Sequence, residues 1–232
     1  MAIGPRTWSV LPHDPIEELA PNLWRVEARL NRSNRRVMIV VRLTDGRIIM
    51  HNPIALDDAS MERIDAWGEV SSLLVPNRFH RRDAYIMQMR YPKAKSYAPS
   101  GALASASKAT PCSGTYAHVS ADATVSLRDI DGIGQREGVM LVRSDDGVSA
   151  IFCDTVLNLP KMRGLMGWLI DPTGMLSVPR PTRWLFMRDK EALRQDLLRI
   201  ASEDGLKRVI PGHGAIVATD AGERLRESAE RL

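Results

Sequence analysis

Two short apolar runs, each stopped by a residue with chemistry of its own, constrain this chain's fold more than any other feature. Val209-Ile210 runs into Pro211-Gly212-His213-Gly214, and Ala150-Ile151-Phe152-Cys153 stops at Asp154-Thr155. A β-branched pair before a Pro-Gly turn reads as a strand that ends abruptly. The two glycines let the backbone take φ > 0 and leave the His213 imidazole uncrowded. Such strand ends present a ligand or a proton-transfer group at the carboxyl edge of a sheet. The competing reading of His213 is a surface turn that happens to contain histidine. A second strand end that carries a carboxylate favours the functional reading.

The rest of the chain supplies a sheet for these ends to belong to. Residues 23–30 and 37–43 read as strands joined by an arginine-rich connection, 31–36, and Asp45-Gly46 turns the second into a third at 48–50. That strand ends at His51-Asn52-Pro53, and a helix with an aspartate N-cap (Asp57 or Asp58) follows. A buried strand at 72–75 stops at Pro76-Asn77, a helix follows at 82–90, and the 91–99 stretch holds a loop and a short strand. Residues 100–118, rich in Ser, Ala, Thr and Gly, have the least structured composition. Strands resume at 123–127, 138–142 and 148–153. Leu193, Leu197, Ile200 and Ala201 form one stripe of a helix at 189–200, a strand at 206–210 enters the histidine turn, and a mostly charged surface helix spans 220–232. This mixture predicts sheets sandwiched between helices.

Composition removes several function classes. The net charge of +4 and pI near 9.3 come with only 5% aromatic residues, which fits a solvated surface rather than a nucleic-acid face. No run of about 18 apolar residues exists to span a membrane. The first 19 residues carry Pro, His, Asp and Glu where a signal peptide needs an unbroken apolar core, so a cytoplasmic protein is expected. Cys112 and Cys153 have no metal-binding spacing, and Cys153 reads as a buried small hydrophobe. Gly132-x-Gly134-x-x-x-Gly138 misses the dinucleotide fingerprint.

Polar residues recur where strands end: His51, Asn77 with His80, Asp154 and His213. Their order, with Leu74-Val75-Pro76-Asn77-Arg78-Phe79-His80, the 91–99 stretch, Phe152-Cys153-Asp154-Thr155 and Pro211-Gly212-His213-Gly214, resembles the metallo-β-lactamase fold family over residues 20–217. It is most similar to a branch in which the first metal motif is eroded to P-N-x-x-H. The resemblance implies an α/β fold, a four-layer αββα sandwich of mixed sheets. It would form a single domain over 1–232 with a Met/Pro-rich excursion at 157–181. That excursion reads either as a core helix or as a lid, partner surface or apolar substrate wall.

The resemblance also implies a site. Asp154 matches the family's metal-bridging aspartate and His213 its last histidine ligand. The H-x-H-x-D-H motif is broken: Asn77 stands at its first histidine, His80 one place beyond its second, and Arg81 and Arg82 at its aspartate and third histidine. The implied metal ligands are therefore His80, Asp154 and His213, with His51, Asn77, Arg81 and Arg82 as additional site residues. The group held is one zinc or other divalent cation, or none. Arg81 or Arg82 would pair with Asp154 in place of a metal, or else simply begin a solvated helix. The implied function is a metallo-hydrolase-like protein with a degenerate site, attacking an ester, amide or phosphoester with a metal-bound water. The alternative is a non-catalytic binding protein that uses the same cleft for an anionic ligand or a protein partner. A small-molecule ligand or substrate, no nucleic acid, no membrane span and a homo-oligomer are the expected associations.

Overall fold

In the strand Arg35–Arg42, Val37, Ile39 and Val41 point to one face and Met38 and Val40 to the other, and all five are buried. A strand apolar on both faces needs a layer on each side of its sheet. The computed structural model describes residues 7–31 and 35–232, and it has those layers. The expected arginine-rich connection falls partly at 32–34, outside the described residues.

The first sheet runs β1 (Glu17–Ala20), β2 (Leu23–Arg29), β3 (Arg35–Arg42), β4 (Arg47–His51), β5 (Glu69–Leu74), β6 (Lys95–Ala98) and β7 (Cys112–Thr115) in that spatial order. It is antiparallel as far as β4 and parallel from β4 to β7. The second sheet contains β8 (Val125–Asp129), β9 (Gly138–Ser144), β10 (Gly147–Ile151) and β11 (Leu206–Ile210), in the order β11-β10-β9-β8, with only β10 and β11 parallel. The helices are α1 (Asp58–Trp67), α2 (Ala84–Arg90), α3 (Leu103–Ala106), α4 (Gly164–Ile170), α5 (Arg180–Leu185), α6 (Lys190–Ala201) and α7 (Ala221–Glu230).

Three apolar clusters define four layers. Leu23, Val37, Ile39, Val41 and Leu74 of the first sheet pack on Met140, Val142, Ile151 and Ile210 of the second. Met38, Val40 and Met50 face outward onto Met61 and Ile64 of α1 and Met87 of α2. Val139, Ala150 and Val209 face outward onto Leu193 and Leu197 of α6 and Leu225 of α7. The expected αββα sandwich of mixed sheets is the observed architecture. Each fully buried Leu in it contributes about 1.5–3 kcal/mol.

Local sequence rules account for the helix starts. The Asp57 carboxylate accepts Ser60 N–H at 2.8 Å and that of Asp189 accepts Ala192 N–H at 2.9 Å, each satisfying a free amide of the first turn. Two expectations need correction. The 100–118 stretch is not unstructured: it contains α3 and β7, the latter paired with β6, because an edge strand needs few large apolar residues. The last helix is not a purely surface element, since Ala221, Leu225 and Ala229 recur at i, i+4 and i+8 and are buried. The 157–181 excursion is closed at its base by paired bonds between Leu157 and Ser177, both 2.9 Å. It is not a core helix, because Leu165 and Trp168 of α4 are exposed. No helix among the described residues is long and apolar enough to cross a membrane.

Candidate metal centre

Both sheets deliver side chains to one rim. Leaving β10 and β11, parallel neighbours, the chain reaches Asp154 and His213 side by side. Leaving β4 and β5, parallel neighbours in the other sheet, it reaches Asn52 and the Asn77–His80 turn. The sheets are tied at this rim by Val37 N–H donating to Gly212 O at 3.1 Å. Asn77 Oδ1 accepts the amides of Phe79 (2.8 Å) and His80 (3.1 Å), an Asx turn that aims His80 inward.

His80 Nε2, His213 Nε2 and Asp154 Oδ1 form a nearly equilateral triangle. His80 lies 3.2 Å and His213 3.3 Å from the carboxylate oxygen, and the two imidazole nitrogens are 3.1 Å apart. Hydrogen bonding on the far side of each ring fixes its tautomer. Asn52 donates Nδ2–H to Val37 O (2.7 Å) and accepts from Arg36 Nη2 (2.9 Å) at Oδ1. That same Oδ1, an acceptor, stands 3.2 Å from His80 Nδ1, so His80 Nδ1 carries the proton. His213 Nδ1 likewise faces the carbonyl of Arg35 and must donate to it. Both Nε2 atoms are left to face each other and a carboxylate oxygen. Two lone pairs at 3.1 Å repel unless a cation or a proton lies between them. Ligands about 2.0–2.1 Å from one tetrahedral zinc are about 3.3–3.4 Å apart, so the donor set fits a divalent cation.

Burial and the Asp154 charge pull each of the two imidazoles in opposite directions. Burial, outweighing Asp154, keeps His80 below its ordinary value, so its Nε2 lone pair is available. Burial opposes charging of His213 too, but the Asp154 contact and the Arg35 carbonyl raise it overall. Burial also works against the Asp154 carboxylate, yet His80 and His213 hold it well below the usual carboxylate range. His80 is 6% exposed, His213 17% and Asp154 18%, so His80 forms the floor and the other two the open lip.

A second layer holds the first. Asn77 Nδ2 donates to Asp154 Oδ2 at 2.7 Å, which leaves Oδ1 for the site. Glu137, 1% exposed, accepts the backbone amides of Cys153 (2.9 Å), Asp154 (2.8 Å) and Thr155 (2.9 Å), fixing the turn that carries Asp154. Burial and then Asp154 push the Glu137 carboxyl up to about 7 against those three amides.

Of the two readings of the arginines, pairing with Asp154 is not found among the described residues: Arg81 donates to Ser105 O at 2.6 Å and Arg82 to Asp83 Oδ1 at 2.8 Å. Both lie just before α2, as the helix-start reading has it, but half-buried rather than fully solvated. The buried cation beside the site is Arg36, which donates to Asp83 Oδ2 at 3.0 Å and acts electrostatically on His80, His213 and Cys153. His51 ends β4 fully buried, with both ring nitrogens lacking a hydrogen-bond partner among the described residues. Burial and His80 lower it to about 3, so it is neutral. Cys153 Sγ lies within 4.8 Å of the His80 and Asp154 donors, but burial and the two carboxylates hold its thiol well above its usual value.

The glycines of the histidine turn divide their roles. Gly214 has φ of 96°, the left-handed conformation expected of both. Gly212 is instead needed for close approach: a Cβ there would stand 2.7 Å from Cys153 O. Sequence reasoning missed Arg36, Asn52 and Glu137. Asn52 offered one signal, lying in the strand-ending His51-Asn52-Pro53 and taking a left-handed φ of 53°. Arg36 and Glu137 offered none, since charged residues at strand starts look solvated.

No protein-family model matches the chain, and no curated protein sequence does. Solved structures do. The DIM-1 metallo-β-lactamase exposed to ceftazidime superposes with a TM-score of 0.64 at 18% identity, covering 96% of this chain and 99% of that one. A second structure of the DIM-1 enzyme gives 0.63 at 17% identity, again covering 96% and 99%. The mono-zinc form of the metallo-β-lactamase FIM-1 from Pseudomonas aeruginosa gives 0.63 at 14% identity, covering 96% of each chain. With two mixed sheets between two helical layers and these neighbours over almost its whole length, the chain has the metallo-β-lactamase fold.

Proposed function

We propose that this protein is a mononuclear metallo-hydrolase-like protein that holds one zinc or other divalent cation on His80 Nε2, His213 Nε2 and Asp154 Oδ1. The carrying observation is the triangle of donors 3.1–3.3 Å on a side, with both Nδ1 atoms committed to acceptors behind them. A bound cation would polarise the carbonyl or phosphoryl oxygen of an ester, amide or phosphoester and bring the pKa of a bound water toward neutrality. This chain's residues supply the rest. Asn52 and the Arg35 carbonyl keep the two imidazoles in the liganding tautomer, and Asn77 and Glu137 hold the carboxylate in place. Arg36 supports one cation rather than two: a buried guanidinium already acts on both histidines, and a second dication would meet its repulsion.

A second reading, the binding protein for an anionic ligand, is favoured by Arg78, Arg136 and Arg188. Arg136 feels the positive charge of the other two, and the Arg78 guanidinium stacks over Phe79 at 4.6 Å, beside the site turn.

Elemental analysis of untagged protein tests the metal reading. One equivalent of metal is expected in the wild type and none in His80→Ala or Asp154→Ala. A wild type that remains metal-free after zinc loading, but retains an anionic ligand, would establish the second reading instead.

A further inference from the structure

Five of the largest exposed apolar side chains fall within one short stretch: Leu165 (73% exposed), Trp168 (56%), Met175, Trp184 (58%) and Leu185 (49%). They are not scattered. Leu165 and Trp168 are three residues apart on α4 and so share a face. The Trp168 and Trp184 rings lie 6.2 Å apart, joining α4 to α5. Leu185 follows directly. Isolated exposed apolar residues need no explanation, whereas a contiguous aromatic patch marks a surface made to be covered.

Charge says what covers it. Residues 161–190 hold six Lys and Arg against Asp171 and Asp189, a net +4, which is the net charge of the entire chain. The other 202 residues balance to zero. Both acids are already engaged: Asp171 pairs with Arg180 at 3.7 Å and Asp189 caps α6. Lys161 and Arg163 are exposed at the entry to α4, and the Arg180 guanidinium stacks 5.0 Å over Trp168. A second copy of this chain is disfavoured, because a twofold interface would bring two +4 segments together. Among the described residues of this segment, no carboxylate other than these two engaged ones could fix register with a protein partner. Tryptophans with an apolar body and a polar N–H, ringed by long flexible cations, suit a laterally fluid surface with an apolar layer beneath negative headgroups.

We propose that the face formed by Leu165, Trp168, Trp184 and Leu185, with its basic rim, docks this protein on a lipid bilayer that carries anionic headgroups. Docking is peripheral and needs no spanning helix. It is also independent of the metal centre, because none of the docking side chains is a proposed ligand. The helix α5 that carries Trp184 does touch the site: Thr182 Oγ1 donates to Asp154 O at 2.6 Å. The docked face therefore sets how the site stands relative to the membrane.

Flotation with vesicles tests this, using phosphatidylcholine alone and an equimolar mixture with phosphatidylglycerol. The protein should partition to the anionic vesicles about a hundredfold more strongly, as expected for several Lys and Arg side chains near a charged surface. High salt should weaken that binding. Trp168→Ser with Trp184→Ser should lower it at least tenfold, as should Lys161→Glu with Arg163→Glu, with unchanged melting temperatures. Absent binding, equal binding to both vesicle types, or wild-type binding by the tryptophan variant overturns the proposal. So does binding to soluble polyglutamate as tight as to vesicles, which would mean charge recognition alone. A concentration-dependent dimer abolished by the tryptophan variant would assign the face to self-association instead.

Discussion

Asp83→Ala is expected to be among the most destabilising polar substitutions in this protein, and the reason lies in what it leaves behind. The Asp83 carboxylate is fully buried and serves two arginines. Oδ2 accepts from Arg36 at 3.0 Å, and Arg36 is itself 4% exposed; Oδ1 accepts from Arg82 at 2.8 Å, whose side chain is 27% exposed. Removing the carboxylate leaves Arg82 free to turn to water, but Arg36 keeps, among the described residues, only the neutral Asn52 Oδ1 as side-chain partner. An uncompensated buried charge costs about 3–5 kcal/mol, while loss of a partly exposed pair costs about 0–1 kcal/mol. Asp83→Ala should therefore lower stability by about 3–5 kcal/mol and Arg82→Ala by less than about 1 kcal/mol. For a chain of this length the first corresponds to roughly 6–20 °C in melting temperature. Arg36→Met combined with Asp83→Leu should recover most of the loss, since a buried pair is replaceable by apolar groups at little net cost. Urea unfolding of the four proteins, with the dependence on urea checked for constancy, reads these values. Equal losses for Asp83→Ala and Arg82→Ala, or a double variant no better than Asp83→Ala, would refute the buried-charge reasoning.

The remaining predictions concern the rim. His51 has its folded pKa lowered to about 3 from an ordinary 6.5, so its contribution is complete above pH 6.5 and is lost as pH falls toward 3, at about 1.4 kcal/mol per unit; urea midpoints across that range should flatten in His51→Phe. Glu137→Gln puts a donor against amides that now share carboxylate oxygens, which should cost about 1–3 kcal/mol and weaken zinc binding by calorimetry, whereas a surface-like role would change neither. His213→Ala should abolish zinc binding with a melting temperature close to wild type in the metal-free protein, while Gly212→Val should lower that melting temperature by crowding Cys153, an overpacking cost of about 1–3 kcal/mol.

The layers were legible because alternation and periodicity are local: Val37 to Val41 and the Leu193 stripe declare their faces without help from distant residues. Asp154 and His213 were legible because each follows the end of one of two neighbouring parallel strands, β10 and β11, while His80 was legible only as part of the turn that leaves β5 in the other sheet. The supporting shell was not. Glu137 reaches amides sixteen to eighteen positions away, and Arg36 meets Asp83 across 47 positions, pairings that no local pattern encodes. β1 was missed because its four residues, Glu17–Ala20, include two glutamates and one buried residue, too little apolar signal for an edge strand. The arginines at 81 and 82 left two readings open, a stand-in for the metal or the start of a helix, because sequence gives a charge's position along the chain and not its direction.

The donors of the candidate centre belong to different halves of the sandwich: His80 follows a strand of the first sheet, Asp154 and His213 follow strands of the second. Any ion shared among them is a removable cross-link between the two halves, closing a loop of 133 positions between the histidines. It acts as a disulfide would on the unfolded chain, but its strength can be set from outside by concentration. At a thousandfold excess of free ion over the dissociation constant the added stability is about 4 kcal/mol. The protein's equilibrium stability would thus follow the free-ion concentration around it, and depletion of the ion would remove that margin along with whatever chemistry the site performs.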